Sequence, residues 1–477
     1  MSRLAWRSII SDAALVRPDA EISCFFVGRR LNLPRALLIQ PWIHDFAAYD
    51  LWVRPVGLLR IGGYLRSLGV EVALLDCLNP HHPGLQTEKL KRFPGDHGAF
   101  YREEIPKPEI LQWFPRRYKR YGIPPASLES SLRRQPRPDF ILVSSTMTYW
   151  YSGVQETISY CHRIFPDVPV VLGGIYATLL PEHARQFSGA DLVIPGSDWT
   201  EIKKTLAGLF CADDPEDSLS DLPAWDLAAG ARSICVRSSE GCPFRCAYCA
   251  SHLLSSSEGP RPPQRVAQEI ITGVRALGIE DVAFSDDALL WRADSCLLPA
   301  LESVQRELNQ KLRFHCPNGL HARYLDLDLA LAFKEHGFTT LRLGLESIKD
   351  SFHQCTGGKL SMEDFEAAVS FLVRAGYAPR EIGVYVLAGL PGQSLQEVEQ
   401  SLSYLLERGL RPHLAEYSPI PGTQLWEEAV TKSPFPISQE PLFHNNTLLP
   451  CRWEGFSYDG FLRLKAKLNR ELQKKPS

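Results

Sequence analysis

The amino-acid sequence predicts an α/β protein with two successive domains, each built on a parallel β-sheet. Short, continuously apolar runs alternate with helical patterns, which is typical of parallel strands covered by helices on both faces. An acidic, turn-rich stretch at residues 211–230 interrupts this alternation once, and we interpret it as an interdomain linker. The length of 477 residues accommodates two or three domains. The predicted class is therefore α/β with two parallel-sheet domains in tandem.

The first half of the chain predicts a Rossmann-like domain at residues 33–210. Its strand candidates are RALLIQP (35–41), the run from Val70 to Leu75, DFILVSS (139–145), VPVVLGG (168–174) and ADLVIPG (190–196). Helical patterns separate them, so a ligand is expected where the strands end. Residues 1–32 show no period and are interpreted as an N-terminal extension. A long insert at 79–137, rich in aromatic, basic and proline residues, is either a functional loop or a solvated face.

The second half predicts a partial (β/α)6 barrel of the TIM type at residues 231–430. The strand candidates are Ser233 to Arg237, Asp281 to Ser285, Arg313 to Cys316, Thr340 to Leu345, Ile382 to Ala388 and His413 to Tyr417. Six strands are too few to close an eight-stranded barrel, and chemistry in such folds lies at the C-terminal ends of strands. Ser361 and Ser394 begin two capping boxes. Residues 431–477 are interpreted as a C-terminal helical cap.

Composition excludes several classes of protein. The formal charge of −3 argues against a nucleic-acid partner held by electrostatics. No run of 18 apolar residues is present, so no membrane span is expected. The 12 cysteines are scattered apart from one cluster, without the spacing of a disulfide scaffold, which indicates a reducing compartment. We expect a cytoplasmic protein.

The cysteine cluster lies in EGCPFRCAYCASHLL, directly after the first strand of the second half. Cys242, Cys246 and Cys249 bring three thiolates into one loop, and soft thiolates select an iron–sulfur cluster or zinc. Zinc remains an alternative, because His252 continues the spacing and would complete a Cys3His tetrahedron. The position at the end of a barrel strand favours the cluster.

This arrangement resembles the radical S-adenosylmethionine (radical SAM) superfamily across residues 231–430. Further stretches match the family's pattern in order and position, namely SDDALL, LRLGLES, VYVLAGLPGQS and EYSPIPGT. The resemblance implies a 4Fe-4S cluster held by Cys242, Cys246 and Cys249. It also implies that S-adenosylmethionine chelates the fourth iron and is reductively cleaved to a 5'-deoxyadenosyl radical.

The same resemblance implies residues that contact S-adenosylmethionine. They are Tyr248, Asp286, Glu346, Ser347, Gly389 and Pro391. Glu346 and Ser347 are suited to bind ribose hydroxyls or the methionyl amine, because a carboxylate strengthens such hydrogen bonds. A plain turn accounts for Gly389 to Gly392 almost as well as close approach of the cofactor. Asp286 and its neighbour Asp287 point in different directions, so we expect one to face the cofactor and the other to cap a helix. No general acid or base is identified.

A Rossmann-like domain before such a barrel is similar to the cobalamin-binding subgroup of the superfamily. The matching strand-end positions are Ser144, Ser145, Thr146, Gly173, Gly174 and Gly196, although βα turns commonly use such residues. One departure concerns the Asp-x-His-x-x-Gly motif that supplies a lower cobalt ligand. Here the chain reads WIHDFAAYDLWV, and His44 does not fit that spacing. Either cobalamin binds without a histidine ligand, or the domain is a scaffold; we expect binding.

These resemblances together imply a radical enzyme that transfers a methyl group from methylcobalamin to an unactivated carbon. The alternatives are a cobalamin-free rearrangement or cyclisation, sulfur insertion, and a zinc-stabilised binding protein that is not an enzyme. The remaining cysteines form no second tight motif, which weakens sulfur insertion. We expect a small-molecule or lipid-like substrate and a reductant such as flavodoxin or ferredoxin.

Overall fold

A computed structural model describes residues 33–85, 90–212 and 222–474. The chain divides into two compact units, 1–231 and 232–477. The N-terminal extension predicted at 1–32 and the centre of the predicted linker lie outside the described residues. The domain boundaries drawn from the sequence stay predictions.

The first unit contains a five-stranded parallel sheet in the order β10-β9-β8-β1-β3. The strands of this unit are β1 (Arg35–Gln40), β2 (Ile43–Asp45), β3 (Glu71–Asp76), β4 (Arg92–Phe93), β5 (His97–Gly98), β6 (Arg102–Glu104), β7 (Lys119–Tyr121), β8 (Phe140–Val143), β9 (Val170–Leu172) and β10 (Leu192–Val193). Its α-helices are α1 (Val56–Ser67), α2 (Pro125–Arg134), α3 (Tyr151–Ile164), α4 (Ile175–Leu179), α5 (Pro181–Phe187) and α6 (Trp199–Phe210). The apolar runs of β1, β8 and β9 are buried, as expected of strands covered on both faces. The predicted parallel sheet is confirmed.

The insert at 79–137 forms structure that the sequence did not predict. Its strands β6 and β7 join β2, which begins three residues after β1, in an antiparallel sheet of order β2-β7-β6. A second pair, β4 and β5, forms a small hairpin. Strands of two or three residues are too short to show a period in the sequence, which is why the pattern indicated only a loop.

Buried charges hold this hairpin against the segment that follows β2. Arg54 pairs with Asp50 at 3.2 Å and with Asp96 at 2.9 Å, and Arg92 pairs with the same carboxylates at 2.9 and 2.8 Å. His81 adds a contact of 2.8 Å to Asp96. Although burial opposes it, the hydrogen bond from His81 and the charges of Arg54 and Arg92 hold the pKa of Asp96 well below its usual range. The Asp96 carboxylate therefore remains ionised between the two guanidinium groups.

The second unit contains a six-stranded parallel sheet in which neighbouring strands follow one another in the chain. Its barrel strands are β11 (Ser233–Val236), β14 (Asp281–Phe284), β15 (Arg313–His315), β16 (Phe338–Glu346), β17 (Ile382–Ala388) and β18 (Arg411–Glu416), with a small pair β12 (Ser239–Glu240) and β13 (Gly259–Pro260). Among the described residues β11 pairs only with β14 and β18 only with β17, so the sheet is open at both edges. The predicted partial barrel is confirmed.

Helices connect these strands and extend beyond them. They are α7 (Pro263–Leu277), α8 (Leu297–Glu307), α9 (Leu327–His336), α10 (Asp350–Cys355), α11 (Met362–Arg374), α12 (Leu395–Glu407), α13 (Trp426–Lys432) and α14 (Tyr458–Gln473). Both predicted capping boxes are present, Ser361 with Asp364 at α11 and Ser394 with Glu397 at α12. Over the described ranges, no helix combines the length and the apolar character needed to cross a membrane.

Two helical glycines of the first unit provide a test of its packing. A Cβ at Gly153 in α3 would lie 2.3 Å from the carbonyl oxygen of Trp42, whereas a Cβ at Gly208 in α6 would meet nothing within 4 Å. We expect Gly153→Ala to lower the free energy of unfolding of this unit by about 1–3 kcal/mol through overpacking. Gly208→Ala should raise it by up to about 1 kcal/mol, because alanine is the better helix former. Hydrogen exchange in urea, read on peptides of β1 and α3, measures both; equal effects would contradict the close approach of α3 to Trp42.

Candidate active site

The loop that carries the cysteines begins at a buried carboxylate. One oxygen of Asp286, two residues after β14, accepts hydrogen bonds of 2.7–2.8 Å from the backbone N–H and hydroxyl groups of both Ser238 and Ser239. Asp286 is 2% exposed. Burial raises the pKa of Asp286, while these four hydrogen bonds favour the charged form. The carboxylate thus ties the loop after β11 to the end of the neighbouring strand.

The expectation that one of the two adjacent aspartates caps a helix is wrong. Asp286 binds the loop, Asp287 is exposed, and turns follow both residues. The next helix, α8, begins at Leu297 without a side-chain cap. The second oxygen of Asp286 is buried and has no hydrogen-bond partner among the described residues. A contact between Asp286 and S-adenosylmethionine stays a prediction.

The three predicted cluster ligands lie in the same loop. Cys242 and Cys246 are 6% and 7% exposed, and Cys249 is half-buried. Burial, with the nearby Cys246 and Cys249 thiols as a smaller cause, raises the pKa of Cys242 to about 11. Burial also raises the pKa of Cys246, so without a bound cation Cys242 and Cys246 would remain neutral thiols, and a metal centre is what makes their thiolates favourable. Three soft sulfur donors at the end of a barrel strand fit an iron–sulfur cluster.

Neighbouring segments hold this loop in place. The backbone N–H of Ala247 donates to the carbonyl of Thr356 at 3.2 Å, and its carbonyl accepts from the N–H of Leu425 at 2.9 Å. The Cys249 sulfur lies 3.2 Å from the hydroxyl oxygen of Ser251. The loop is therefore fixed both by the segment after α10 and by the segment that leads into α13.

Histidines near the loop bear on the zinc alternative. His252 lies in a 3-10 turn, Ser251–Leu253, directly after the last cysteine. The histidine that approaches a cluster ligand is His321, whose Nε2 lies 4.0 Å from the sulfur of Cys242. In the part of the chain that the structure describes, no three His, Cys, Asp or Glu side chains are grouped closely enough to hold a single metal ion.

A buried ion pair lies beside the cysteines. Glu346, at the end of β16, pairs with Lys359 and accepts a 3.4 Å hydrogen bond from the hydroxyl of Tyr248. The side chain of Glu346 is 8% exposed and that of Lys359 is 13% exposed. The ammonium also lies 5.8 Å from the ring centre of Tyr248, which stacks on Phe352 at 6.3 Å. Although burial opposes it, the Glu346 carboxylate and the Cys246 sulfur raise the pKa of Lys359, so the lysine is charged.

Glu346 adopts a backbone conformation that is rare for a non-glycine residue. Its φ is 63°, and the register of β16 against β17 shifts between Gly344 and Glu346. Such strained positions persist only where the surroundings enforce them, and they concentrate at functional sites. The bulge re-aims the Glu346 carboxylate toward Lys359 and Tyr248.

The remaining predicted S-adenosylmethionine residues lie at the ends of the same strands. The Ser347 hydroxyl accepts a 3.2 Å hydrogen bond from the N–H of Lys349, and the Ser347 carbonyl accepts one of 2.7 Å from His353. Gly389 has a φ of 91° and begins a turn that contains Pro391. The side chain of Gln393 closes this turn by accepting from the N–H of Gly389 at 2.8 Å. The structure groups Tyr248 and Glu346 directly, whereas cofactor contacts of all these residues stay predictions.

The predicted cobalamin residues of the first unit form a connected edge. The hydroxyl of Ser145 donates to the carbonyl of Gly173 at 2.7 Å, and that of Ser144 donates to Gln40 at 2.6 Å. Gly174 has a φ of 93°, and a Cβ there would lie 2.3 Å from the carbonyl oxygen of Ser145. Thr146 is half-buried and Gly196 is exposed, with open space around its Cβ position. Gly174 thus lets two strand-end turns pack closely together, and Gly196 leaves open space at the carboxyl edge of this sheet.

His44 is committed to the protein itself. It lies in β2, opposite Arg120 of β7, and its Nε2 is 2.8 Å from the carboxylate of Glu156. Its ring also packs against that of Tyr118. This placement agrees with the sequence, in which the spacing around His44 does not match a lower-ligand motif.

Two family models match the chain on these same parts. The model of the radical SAM superfamily matches residues 236–405, and the model of the B12 binding domain matches residues 120–201. The chain is a radical SAM enzyme with a B12-binding domain. The first domain implies a 4Fe-4S cluster and S-adenosylmethionine, and the second implies cobalamin, so the prediction of these three cofactors is confirmed.

Several known proteins resemble this radical SAM enzyme. A Pyrococcus horikoshii protein, named as the uncharacterized methyltransferase PH0819, is 23% identical over 374 residues, which span 71% of this chain and 76% of that protein. The anaerobic magnesium-protoporphyrin IX monomethyl ester cyclase of Cereibacter sphaeroides is 21% identical over 62% of this chain, which spans only 54% of the cyclase. The radical S-adenosylmethionine methyltransferase TsrM from Kitasatospora setae shares the fold, with a TM-score of 0.59, 15% identity, and coverage of 83% of this chain and 76% of that one.

Lys359 and His321 lie beside the predicted site, but sequence reasoning missed both. Lys359 belongs to no family motif that the sequence showed and follows Glu346 by thirteen residues. The available signal was the glycine pair before it. Gly357 and Gly358 have φ values of 111° and 62°, and a Cβ at Gly357 would lie 3.1 Å from the carbonyl oxygen of Arg245. These glycines let the chain return to the cysteine loop.

The cysteine assignment is tested by metal content. We expect Cys242→Ala, Cys246→Ala and Cys249→Ala each to lose the iron, because a site with two remaining thiolates does not retain a cubane. Cys355→Ser, an exposed thiol outside the loop, should keep it. His252→Ala should also keep its iron. Iron and zinc analysis after anaerobic reconstitution, with paramagnetic resonance of the reduced cluster, measures this; zinc in the parent and loss of metal from His252→Ala would contradict the iron assignment.

The Lys359–Glu346 pair is tested by comparison with an exposed pair. We expect Lys359→Met to lower the free energy of unfolding by about 3–5 kcal/mol, because it leaves a buried carboxylate uncompensated. The matched control is Lys349→Met, which breaks a half-exposed pair with Glu397 and should cost at most about 1 kcal/mol.

The double variant Lys359→Met/Glu346→Gln separates charge from packing. It removes both charges, so it should regain most of the stability lost in Lys359→Met. Urea denaturation of the second unit, followed by hydrogen exchange on β16 and β17, measures all three proteins. A double variant no more stable than Lys359→Met would show that the lysine acts through packing alone.

Proposed function

We propose that this enzyme transfers a methyl group to an unactivated carbon of a small-molecule or lipid-like substrate. In this proposal the cluster with S-adenosylmethionine supplies the hydrogen-abstracting 5'-deoxyadenosyl radical, and cobalamin supplies the methyl group. The observation that carries it is the combination, in one chain, of three thiols in the loop after β11 and a glycine and serine edge in a B12-binding domain. The relatives named as methyltransferases support the same reaction class.

The chain's own residues bind and orient in this proposal. Cys242, Cys246 and Cys249 hold the cluster. Glu346 binds the ribose hydroxyls or the amine of S-adenosylmethionine through charge-assisted hydrogen bonds, and Lys359 holds the carboxylate in position. Tyr248 donates a hydrogen bond to the same carboxylate oxygen that Lys359 contacts and limits the rotation of the side chain.

The edge of the first unit binds cobalamin without a histidine ligand. Glycine at position 174 lets its turn pack closely against the Ser145 backbone, and the open space beside Gly196 is where the amides of a corrin would approach. Because His44 is paired with Glu156, it does not reach out from β2 to coordinate a metal.

The surroundings of the reaction follow from the same chemistry. Reductive cleavage needs one low-potential electron, which we assign to a flavodoxin or a ferredoxin. Thiolate ligands and free cysteines persist in a reducing compartment, and we place the enzyme in the cytoplasm. The net charge of −3 favours a small molecule over a nucleic acid as substrate.

Ring formation is a second candidate reaction. The similarity to an anaerobic magnesium-protoporphyrin IX monomethyl ester cyclase favours it, although this chain spans about half of that protein. Cyclisation would use the radical site and would not consume a methyl group.

The products of S-adenosylmethionine distinguish the two reactions. The enzyme is purified anaerobically, reconstituted with iron, sulfide and hydroxocobalamin, and reduced in the presence of S-adenosylmethionine with a deuterated methyl group. Methyl transfer should give four irons and stoichiometric cobalt per chain. With substrate extracts it should give a product carrying the label, with S-adenosylhomocysteine and 5'-deoxyadenosine in equal amounts.

Other outcomes identify other reactions. Formation of 5'-deoxyadenosine without S-adenosylhomocysteine, and without need for cobalt, would replace methyl transfer by cyclisation or rearrangement. Cys249→Ala serves as the control and should form neither product. Formation of 5'-deoxyadenosine by that variant would contradict the assignment of the cluster loop.

A further inference from the structure

One face of the antiparallel sheet β2-β7-β6 borders a pocket that the radical chemistry does not use. The cavity has a volume of about 400 Å³. Phe46, Tyr49 and Tyr121 form its aromatic walls. Its charged lining consists of Arg102, Arg116 and Lys119. This volume lies within the range of pockets that bind small molecules.

The cationic side chains on the two faces of this sheet differ in whether they form ion pairs. In the register of β6 and β7, Arg102 lies opposite Tyr121 and Glu103 opposite Arg120. Because side chains alternate, Lys119 and Tyr121 share one face, and Arg120 lies on the other. On that other face Arg120 pairs with Glu156 at 2.8 Å and with Glu103 at 3.3 Å. Its charge is therefore compensated by protein.

The cations of the pocket have no such compensation. Across the described ranges, Arg102, Arg116 and Lys119 make no ion pair. Two acidic residues lie across from Lys119, and both have other partners. Glu104 of β6 pairs with the exposed Arg117 at 3.2 Å, and Asp45 of β2 accepts a 2.6 Å hydrogen bond from the indole N–H of Trp150. Burial, followed by the charges of Arg102, Arg116 and Arg117, lowers the pKa of Lys119. Like charges thus converge on one concave, partly apolar surface, in a chain whose net charge is −3.

This unbalanced charge calls for an anion with more than one negative charge. Guanidinium groups bind phosphate and carboxylate oxygens bidentately, and lysine adds a point charge. A phosphate monoester carries a charge of about −1.5 to −2 near neutral pH, which matches three cations better than a single carboxylate does. Tyr49 is 46% exposed and offers a ring face for a flat group attached to the phosphate.

We propose that this pocket binds the phosphoryl group of a small molecule, with Arg102, Arg116 and Lys119 as its ligands and Tyr49 beside the attached organic group. The site lies in the first unit, and the proposal does not rest on the methyl transfer proposed above. Two sources offer a phosphate group: a free phosphate monoester, which carries the charge argued for above and which we favour, and the singly charged phosphodiester in the nucleotide loop of cobalamin.

Calorimetric titration of the full-length protein with phenyl phosphate tests the proposal. We expect saturable binding that weakens as salt rises from 0.15 M to 1 M, because the screening length falls from about 8 Å to about 3 Å. Arg102→Gln/Arg116→Gln should weaken the affinity by about tenfold or more, as expected for the loss of charged hydrogen bonds. The matched control Arg133→Gln should change it by less than about twofold, because that side chain is exposed, pairs with Glu129 and does not line the pocket.

Further measurements keep the test decisive. Lys119→Met provides a second variant that should weaken binding, and far-ultraviolet circular dichroism confirms that each variant is folded. Benzyl alcohol, which keeps the ring and lacks the charge, should not bind. Absence of saturable phenyl phosphate binding, equal affinities in Arg102→Gln/Arg116→Gln and Arg133→Gln, or equal binding of benzyl alcohol would each overturn the proposal.

Two corrinoids, compared as competitors of phenyl phosphate, distinguish the two sources of the phosphate group. Hydroxocobalamin carries the phosphodiester, whereas cobinamide lacks it. If protein loaded with hydroxocobalamin loses phenyl phosphate binding and protein loaded with cobinamide keeps it, the pocket takes the phosphate of cobalamin. If both keep it, the ligand is a separate phosphorylated molecule. Because these titrations need neither radical formation nor methyl transfer, a failure here is distinguishable from a failure of the proposed reaction.

Discussion

The second unit depends on one buried carboxylate. Asp286 gathers the backbone N–H and hydroxyl groups of Ser238 and Ser239 on a single oxygen, at the point where β11 gives way to the cysteine loop. Removing a carboxylate from water is costly, and hydrogen bonds to the charged form are what compensate for it. These hydrogen bonds hold the first residues of the loop to the neighbouring strand. The cysteines follow directly in the chain, so the position of the start of the loop limits where their side chains can lie.

A buried ion pair, Glu346–Lys359, lies beside the same loop. Exposed ion pairs contribute roughly 0–1 kcal/mol, whereas breaking a buried pair costs about 3–5 kcal/mol, so the Glu346–Lys359 pair outweighs the surface pairs of this unit. The positive φ of Glu346 adds about 1–3 kcal/mol of strain. Strain and buried charge in one residue are unfavourable for stability alone, which points to a functional reason for placing a carboxylate there. The proposed contact between Glu346 and S-adenosylmethionine supplies such a reason.

Sequence reasoning succeeded where a pattern repeats or a residue type is chemically rare. The barrel strands and both capping boxes follow from apolar periodicity and cap residues, and three cysteines within eight residues are the soft donors that a metal centre requires. It failed where partners are distant in sequence or elements are very short. Lys359 reaches Glu346 only because Gly357 and Gly358 turn the chain back, and no periodicity encodes that return. The role of Asp286 depends on serines 47 and 48 residues earlier, so its sequence neighbourhood indicated a cofactor contact or a helix cap instead.

The charged residues of the insert likewise could not be told apart from the sequence. From the sequence, Arg102, Lys119 and Arg120 are equivalent members of a basic stretch, and a solvated face accounts for them all. The antiparallel register separates them, because it turns Arg120 toward Glu103 and Glu156 and turns Lys119 toward Arg102 on the opposite face. Solubility alone does not explain why the cation on one face is paired with carboxylates while the cations on the other face surround a cavity. The difference in ion pairing between the two faces of this sheet is therefore stronger evidence for a ligand than the number of basic residues.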